Sequence, residues 1–325
     1  MQINLNDLRA KEEQFLNNHK HELRQMGRSI VTTCYHKEVA SMWVLLNELA
    51  RLGCTLPIEV FHRRDELTLA DIELLKRISD NIQIKQIQGT PKDFTSRYGH
   101  VHGWACKIYA LHESNFAENL WIDADNYPIV DPSMLFDDPE YRAKGSLFWR
   151  DIMSPDSSNQ YSDNSSLWPI FNIPPNDCEL FETGQLLIDK NKCWKQFGLV
   201  KYYADNCEIY YNFGGDKETF KLAWQRIALL NGTAPQQINY HSNPNVPFGF
   251  MPFGPFHKGQ ANQYGKWGGG SIMVQRDRAG RELFNHRNMD RITFGNNNTF
   301  NHDIANEQYY HDHIARVSAI REQNG

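Results

Sequence analysis

Apolar positions in the first 125 residues recur in two rhythms, and the rhythms alternate. Ile30 to Cys34 is a short β-branched run that reads as a strand. From Val39 to Leu52 the residues Met42, Leu45, Leu46 and Leu49 fall on one face at helical spacing. Gly53 stands just past that end, where a left-handed cap is wanted. Ile58 to Phe61 predicts a second strand, closed by the polar turn His62-Arg63-Arg64-Asp65. Thr68 followed by Asp71 is a capping-box signature for a helix to about Ser79, and Ile82, Ile84 and Ile87 suggest a third strand. A helix from about Gly103 to Ser114 then precedes a last apolar run, Leu120-Trp121-Ile122, which stops abruptly on Asp123-Ala124-Asp125. This alternation predicts an α/β chain with a doubly wound, mostly parallel sheet.

The second half is less regular. Ser146 to Trp149 and Gln185 to Ile188 read as strands, and Lys217 to Leu230 has helical periodicity with Phe220, Ala223, Trp224, Ile227 and Leu230 on one side. Met153 to Asn164, rich in Ser, Asp and Asn, reads as a long loop of the kind that is functional or disordered. Asn231 to Gly270 is Pro-, Gly- and Asn-rich, and Ile272–Gln275 with Glu282–Phe284 predicts a hairpin around Asp277 to Gly280. The expected organisation is an N-terminal helical segment (1–28), one catalytic domain (29–300) with an irregular C-terminal region, and a tail (301–325).

The chemistry concentrates at Asp123 and Asp125. A buried strand that ends there delivers both acids to the carboxyl edge of a sheet, where open α/β folds bind ligands. Side chains at i and i+2 share a strand face, so the two carboxylates can converge, and they repel unless a proton or cation lies between them. Mg²⁺ or Mn²⁺ bridging to a phosphate suits such a pair.

Composition trims the function classes. With 325 residues, 40% hydrophobic and 22% charged, the chain is an ordinary globular protein that can bury a core. A net charge of −5 argues against a nucleic-acid or anionic-membrane surface. The six cysteines show no Cys-x-x-Cys pair, and no apolar run approaches the roughly 18 residues that span a bilayer. The expected location is cytoplasmic, where the sequons at Asn164, Asn231 and Asn297 carry no weight.

The segments LARLGCTLPIEVFHRRDEL, FAENLWIDADNYPIVDPSMLFDDPEY, GSLFWRDI, ETGQLLIDK, GGDKETFKLAW and VQRDRAGRELFNHRN together resemble the α-mannosyltransferase family of the fungal MNN enzymes, glycosyltransferase family 71. The likeness is collinear from about Ile30 to Asn288. It implies a GT-A fold, a nucleoside diphosphate sugar donor, a divalent cation and retention of anomeric configuration. Fungal members carry a membrane anchor and act in the Golgi with GDP-mannose. This chain is expected to be a soluble microbial relative without the anchor, so a UDP-sugar donor stays open beside GDP-mannose, with a glycan or other hydroxyl as acceptor.

Residue roles follow from that resemblance. Asp125 is expected as a direct metal ligand, Asp123 at the ribose and metal shell, and His286 as the third ligand, with His257 as its competitor. An imidazole favours Mn²⁺ over Mg²⁺. Lys107, Arg150 and Arg287 are candidates to neutralise the leaving diphosphate, and Arg63 and Arg64 to contact nucleotide or acceptor. Thr33 and Gln185 complete the expected donor-binding set. Glu182, beside Gly184, and Asp216, after Gly214-Gly215, are the expected catalytic carboxylates, with helix capping as the alternative for Asp216. Trp149 and Trp168 are sugar platforms or core aromatics. Competing functions are a metal-dependent phosphohydrolase or nucleotidyltransferase, and a carbohydrate-binding protein that kept the fold without the chemistry.

Overall fold

The computed structural model describes residues 4–96, 99–151, 162–176, 180–213, 215–234, 247–251, 256–258, 272–288, 291–294 and 306–324. Helix α1 (Leu5–Asn18) is followed by β1 (Gln25–Thr33), α2 (Val39–Arg51), β2 (Ile58–His62), α3 (Leu69–Lys76) and β3 (Ile82–Gln86). Two short strands, β4 (Phe94–Thr95) and β5 (Val101–His102), pair ahead of α4 (Ala105–Glu113), β6 (Phe116–Ile122) and β7 (Asn126–Pro128). Next come α5 (Pro139–Lys144), β8 (Ser146–Arg150), α6 (Leu167–Phe171), β9 (Phe181–Asp189), α7 (Trp194–Asp205), α8 (Cys207–Tyr210) and α9 (Lys217–Leu230). The last elements are β10 (Gly249–Met251), β11 (Phe256–Lys258), β12 (Ile272–Arg276), β13 (Glu282–His286) and α10 (Glu307–Asn324).

A seven-stranded sheet runs β10-β8-β9-β6-β1-β2-β3. Strands β6, β1, β2 and β3 are parallel, as the alternating pattern predicts, whereas β9 lies antiparallel to both β6 and β8. A second, antiparallel sheet runs β11-β12-β13-β7 and contains the expected hairpin.

Alternation along the central strands builds two apolar layers. Ile30, Leu120 and Ile122 pack with Val44, Leu45 and Leu49 of α2 on one face. Val31 and Trp121 point the other way, toward Ile108 of α4, Leu199 of α7 and Trp224 of α9. Local signals do what they predict: the Thr68 hydroxyl accepts from the Asp71 amide at 3.1 Å, the Asp71 carboxylate accepts from the Thr68 amide at 3.3 Å, and Gly53 takes φ +76°.

Two segments differ from expectation. The stretch expected as helical to residue 28 breaks at Asn18, and Gln25–Val31 joins the sheet beside β6 because pairing overrides a weak polar pattern. The stretch expected as a tail contains α10, which docks Tyr310, Ile314 and Val317 into the layer of α2. Most of the expected Met153–Asn164 loop lies outside the described residues.

Candidate active site

Strand β6 ends at Ile122, so the Asp-x-Asp pair sits on a turn rather than on one strand face. The Asp123 amide donates to the Gly184 carbonyl at 2.7 Å, and the Asn126 amide donates back to the Asp123 carbonyl at 3.0 Å. Asn126 then clamps the turn through its side-chain amide, which donates to Gly184 O at 2.9 Å and Gln185 Oε1 at 2.6 Å. Strand β7 starts on that residue and pairs with β13 in a register that sets Asn126 opposite His286. The Arg287 amide donates to the Asp125 carbonyl at 2.8 Å and locks the two segments together.

One ligand atom from each of Asp123, Asp125 and His286 lies within 4.8 Å of the others. Two carboxylates and one imidazole suit a divalent cation of borderline hardness. His286 Nε2 is 3.3 Å from Asp125 Oδ1, and its other ring nitrogen, Nδ1, is 3.3 Å from Glu182 Oε1. A carboxylate behind a histidine is the arrangement that orients a metal-binding imidazole. Gly184 makes room for it: a β-carbon there would lie 2.5 Å from His286 Nδ1. The backbone at this glycine therefore comes close to the histidine.

The electrostatics fit a site made for a cation. Burial pulls the His286 imidazole down, but Asp125 and Glu182 outweigh it and hold it at about 10. Burial pushes Glu182 up, yet His286, Lys217 and the Gly184 amide bring it down to about 2. Asp125 is held below the carboxylate range by His286 and Arg291 against its burial. Asp123 is pushed up, by burial first and then by the Asp125 and Asp216 charges, despite Lys107 and His286. A divalent ion would replace the proton on His286 and relieve that crowding.

Lys107 is no solvated lysine. Its ammonium is buried and reaches Thr183 O at 2.8 Å, Asp216 Oδ2 at 3.1 Å and Asp123 Oδ1 at 3.3 Å. Asp216 makes no capping hydrogen bond for α9, so its carboxylate serves Lys107 instead. Trp121 Nε1 donates to Asp123 Oδ1 at 2.6 Å from within the sheet. Lys107, Trp121 and Asp123 border a cavity of about 460 Å³ at the carboxyl ends of β1, β2 and β6. That volume is in the range of small-molecule sites.

The remaining expected residues divide. Thr33 and Arg63 line the cavity, Arg63 being tied to Asp93 at 2.5 Å and to Cys106 Sγ at 2.8 Å. Arg64 is exposed beside Asp65 and does not join them. Gln185 is fully buried and holds Asn126, which makes it a support of the turn rather than part of the cavity wall. Trp149 is buried edge-on to Phe284, and Trp168 is buried in the opposite layer, so both are core aromatics. Arg287 is fully buried and pairs with Glu307 of α10 at 2.6 Å, because the residue after His286 projects away from the site. Arg150, half-buried at the end of β8, does not line the cavity. His257 lies on β11, with only its backbone described.

Glu38 and Arg291 were not anticipated, yet both line the cavity. Arg291 Nε donates to Asp125 Oδ2 at 2.7 Å, and its Nη1 lies 3.2 Å from Glu38 Oε1. Glu38 follows the first strand closely, and that position was its only signal. Arg291 had none, coming from the irregular C-terminal region. Lys217 was also missed; it pairs with buried Asp151 at 2.5 Å next to Glu182.

Residues 27–172 match the family model described as "Mannosyltransferase putative". The chain is 27% identical over 217 residues to α-1,2-mannosyltransferase MNN24 of Candida albicans, covering 54% of this chain and 30% of that protein. It is 25% identical over 236 residues to α-1,2-mannosyltransferase MNN2 of Saccharomyces cerevisiae, covering 60% and 39%. It thus spans well under half the length of these relatives. Among solved structures, core-mannan synthase A of Aspergillus fumigatus, in an Mn/GDP form, overlaps with a TM-score of 0.45 at 10% identity, over 65% of this chain and 72% of that one. Over these stretches the chain is similar to the MNN-type α-mannosyltransferases. Among the described residues no helix is long and apolar enough to cross a membrane.

Proposed function

We propose that this chain transfers a hexose, mannose favoured, from a nucleoside diphosphate sugar to a hydroxyl of a glycan or similar acceptor. The reaction is taken to need a divalent cation, Mn²⁺ before Mg²⁺, and to retain anomeric configuration. The observation that carries this is the convergence of Asp123, Asp125 and His286 beside a cavity at the carboxyl ends of parallel strands. A cation held by these three residues would neutralise charge on a departing nucleoside diphosphate.

The chain's own groups have separable roles. Glu182 keeps the imidazole facing Asp125. Lys107 brings a fixed positive charge to the cavity from inside the fold, where it is worth more than in water. Asp216, held by that lysine, is the carboxylate we assign to the donor sugar, to orient its hydroxyls and support an oxocarbenium-like transition state. Thr33 and Arg63 line the wall where strands β1 and β2 end, and we assign them to the nucleoside end of the donor. The relatives' mannosyltransferase names favour GDP-mannose as that donor.

Donor turnover tests the proposal. GDP-mannose and a set of UDP-sugars are incubated with the protein, with and without Mn²⁺, and nucleoside diphosphate release is followed by chromatography. Release from one donor class only with Mn²⁺ is expected. Asp125→Ala should abolish it while the circular dichroism spectrum stays that of wild type. Metal-independent turnover, or an Asp125→Ala variant near wild-type rate, would sink the assignment.

A further inference from the structure

Asp125 is almost fully buried, and both of its carboxylate oxygens already face nitrogen groups of other side chains. Oδ1 faces His286 Nε2 at 3.3 Å, and Oδ2 accepts from Arg291 Nε at 2.7 Å. These two partners respond differently to an arriving cation. An imidazole can lose its proton and become a ligand. A guanidinium cannot be deprotonated in a protein and offers no lone pair to a metal. A divalent ion on Asp125 therefore repels Arg291 at contact distance. The arginine is not trapped there. Its side chain is 49% exposed, it lines the same cavity as Lys107, and its further partners Glu38 and Tyr35 lie on the cavity wall.

We propose that Arg291 is a built-in counter-cation: it occupies Asp125 before loading, is displaced by the divalent ion, and then closes on the diphosphate of the incoming donor. This rests on the metal-dependent reading above and adds a donor-binding residue to it. Charge complementarity supports the second half of the movement. Once a divalent ion has taken over Asp125, Arg291 is left at the cavity rim as a planar fork of donors with a mobile stem. That geometry is matched to the paired oxygens of phosphate. The displaced state also couples the two ligands, because the metal frees the group that the diphosphate uses.

The predicted signature is opposite signs in two binding measurements on the full chain. Arg291→Gln removes the competitor, so Mn²⁺ alone, followed by electron paramagnetic resonance of the free ion, should bind about tenfold more tightly. At saturating Mn²⁺, calorimetric titration with GDP and UDP should show the tighter of the two weakened about tenfold or more. Arg291→Lys keeps the charge without the fork, so Mn²⁺ affinity should stay near wild type while nucleotide binding weakens less than in the glutamine variant. A side chain that merely braces the fold would weaken both ligands on substitution. That pattern, or unchanged binding of both, overturns the proposal. Asp125→Ala separates this from failure of the metal reading. If it leaves Mn²⁺ binding intact, the metal site itself is wrong and the proposal falls with it. If it abolishes Mn²⁺ binding while Arg291→Gln lacks the opposite signs, only the counter-cation role is refuted.

Discussion

Gly184→Ala is the sharpest probe of how the candidate metal site is held. The added β-carbon would lie 2.5 Å from His286 Nδ1, 2.6 Å from its Cε1 and 2.9 Å from Glu182 Oε1. Since non-bonded atoms settle about 3.5 Å or more apart, something must retreat by about 1 Å. The backbone at 184 is poorly placed to do so. Its carbonyl accepts from the Asp123 amide and the Asn126 side chain, and its amide donates to Glu182 Oε1 at 2.7 Å. The recoil therefore falls on the His286 ring. Metal–ligand distances tolerate only about 0.2 Å, so the imidazole is lost as a ligand or badly strained. Disturbing a ligand or its orienting carboxylate costs about 10- to 100-fold in metal affinity. Overpacking itself should cost about 1–3 kcal/mol of stability. Calorimetric titration with Mn²⁺ reads the first effect and thermal unfolding without metal reads the second. A Gly184→Ala protein that binds Mn²⁺ within twofold of wild type refutes the geometry.

Two further outcomes concern charge. Burial holds Glu38 at about 8, above its ordinary 4.5, despite Arg291. The folded state therefore keeps a proton that the unfolded chain has released, and this contribution, full below pH 4.5, is lost as pH climbs through 8. Between pH 5 and 7 the metal-free protein should lose on the order of 3 kcal/mol from this group, a slope that urea unfolding should find absent in Glu38→Gln; equal slopes in the two proteins would exclude the assignment. Arg287→Met leaves Glu307 charged in a site where both side chains are about 2% exposed or less, and should cost about 3–5 kcal/mol by urea unfolding. Adding Glu307→Leu should recover much of that loss, and a double variant no better than the single would argue against the buried pair.

Legibility in the sequence followed the range of each interaction. The Thr68–Asp71 box, the Gly53 cap and the parallel strands came from signals a few residues long, and the structure has them. Asp123 and Asp125 were visible because an apolar run stops on them, although a turn rather than a shared strand face brings them together. Trp149, Gln185 and Arg287 show what pattern leaves undetermined. Each lies close to the site in sequence, but which way a side chain projects depends on register with another strand, and all three project into packing. The reversed direction of β9 was illegible for a related reason: a strand buried on nearly every position carries no mark of its orientation. The contact of Arg291 with Asp125 and Glu38 joins distant parts of the chain through long side chains, and no short pattern announces it.

The pairing of β7 with β13 has a consequence in time. Asp125 leaves the ribosome long before His286, and the register that sets Asn126 opposite His286 exists only once β13 has been made. A nascent or truncated chain can present both aspartates, Lys107 and the parallel strands without the third ligand. On our reading it would lack the means to draw charge off a donor, so the sheet matures first and competence arrives last. On the same reading, metal capture would work as a checkpoint on synthesis, since the ion would stabilise only molecules whose C-terminal strands have found their place.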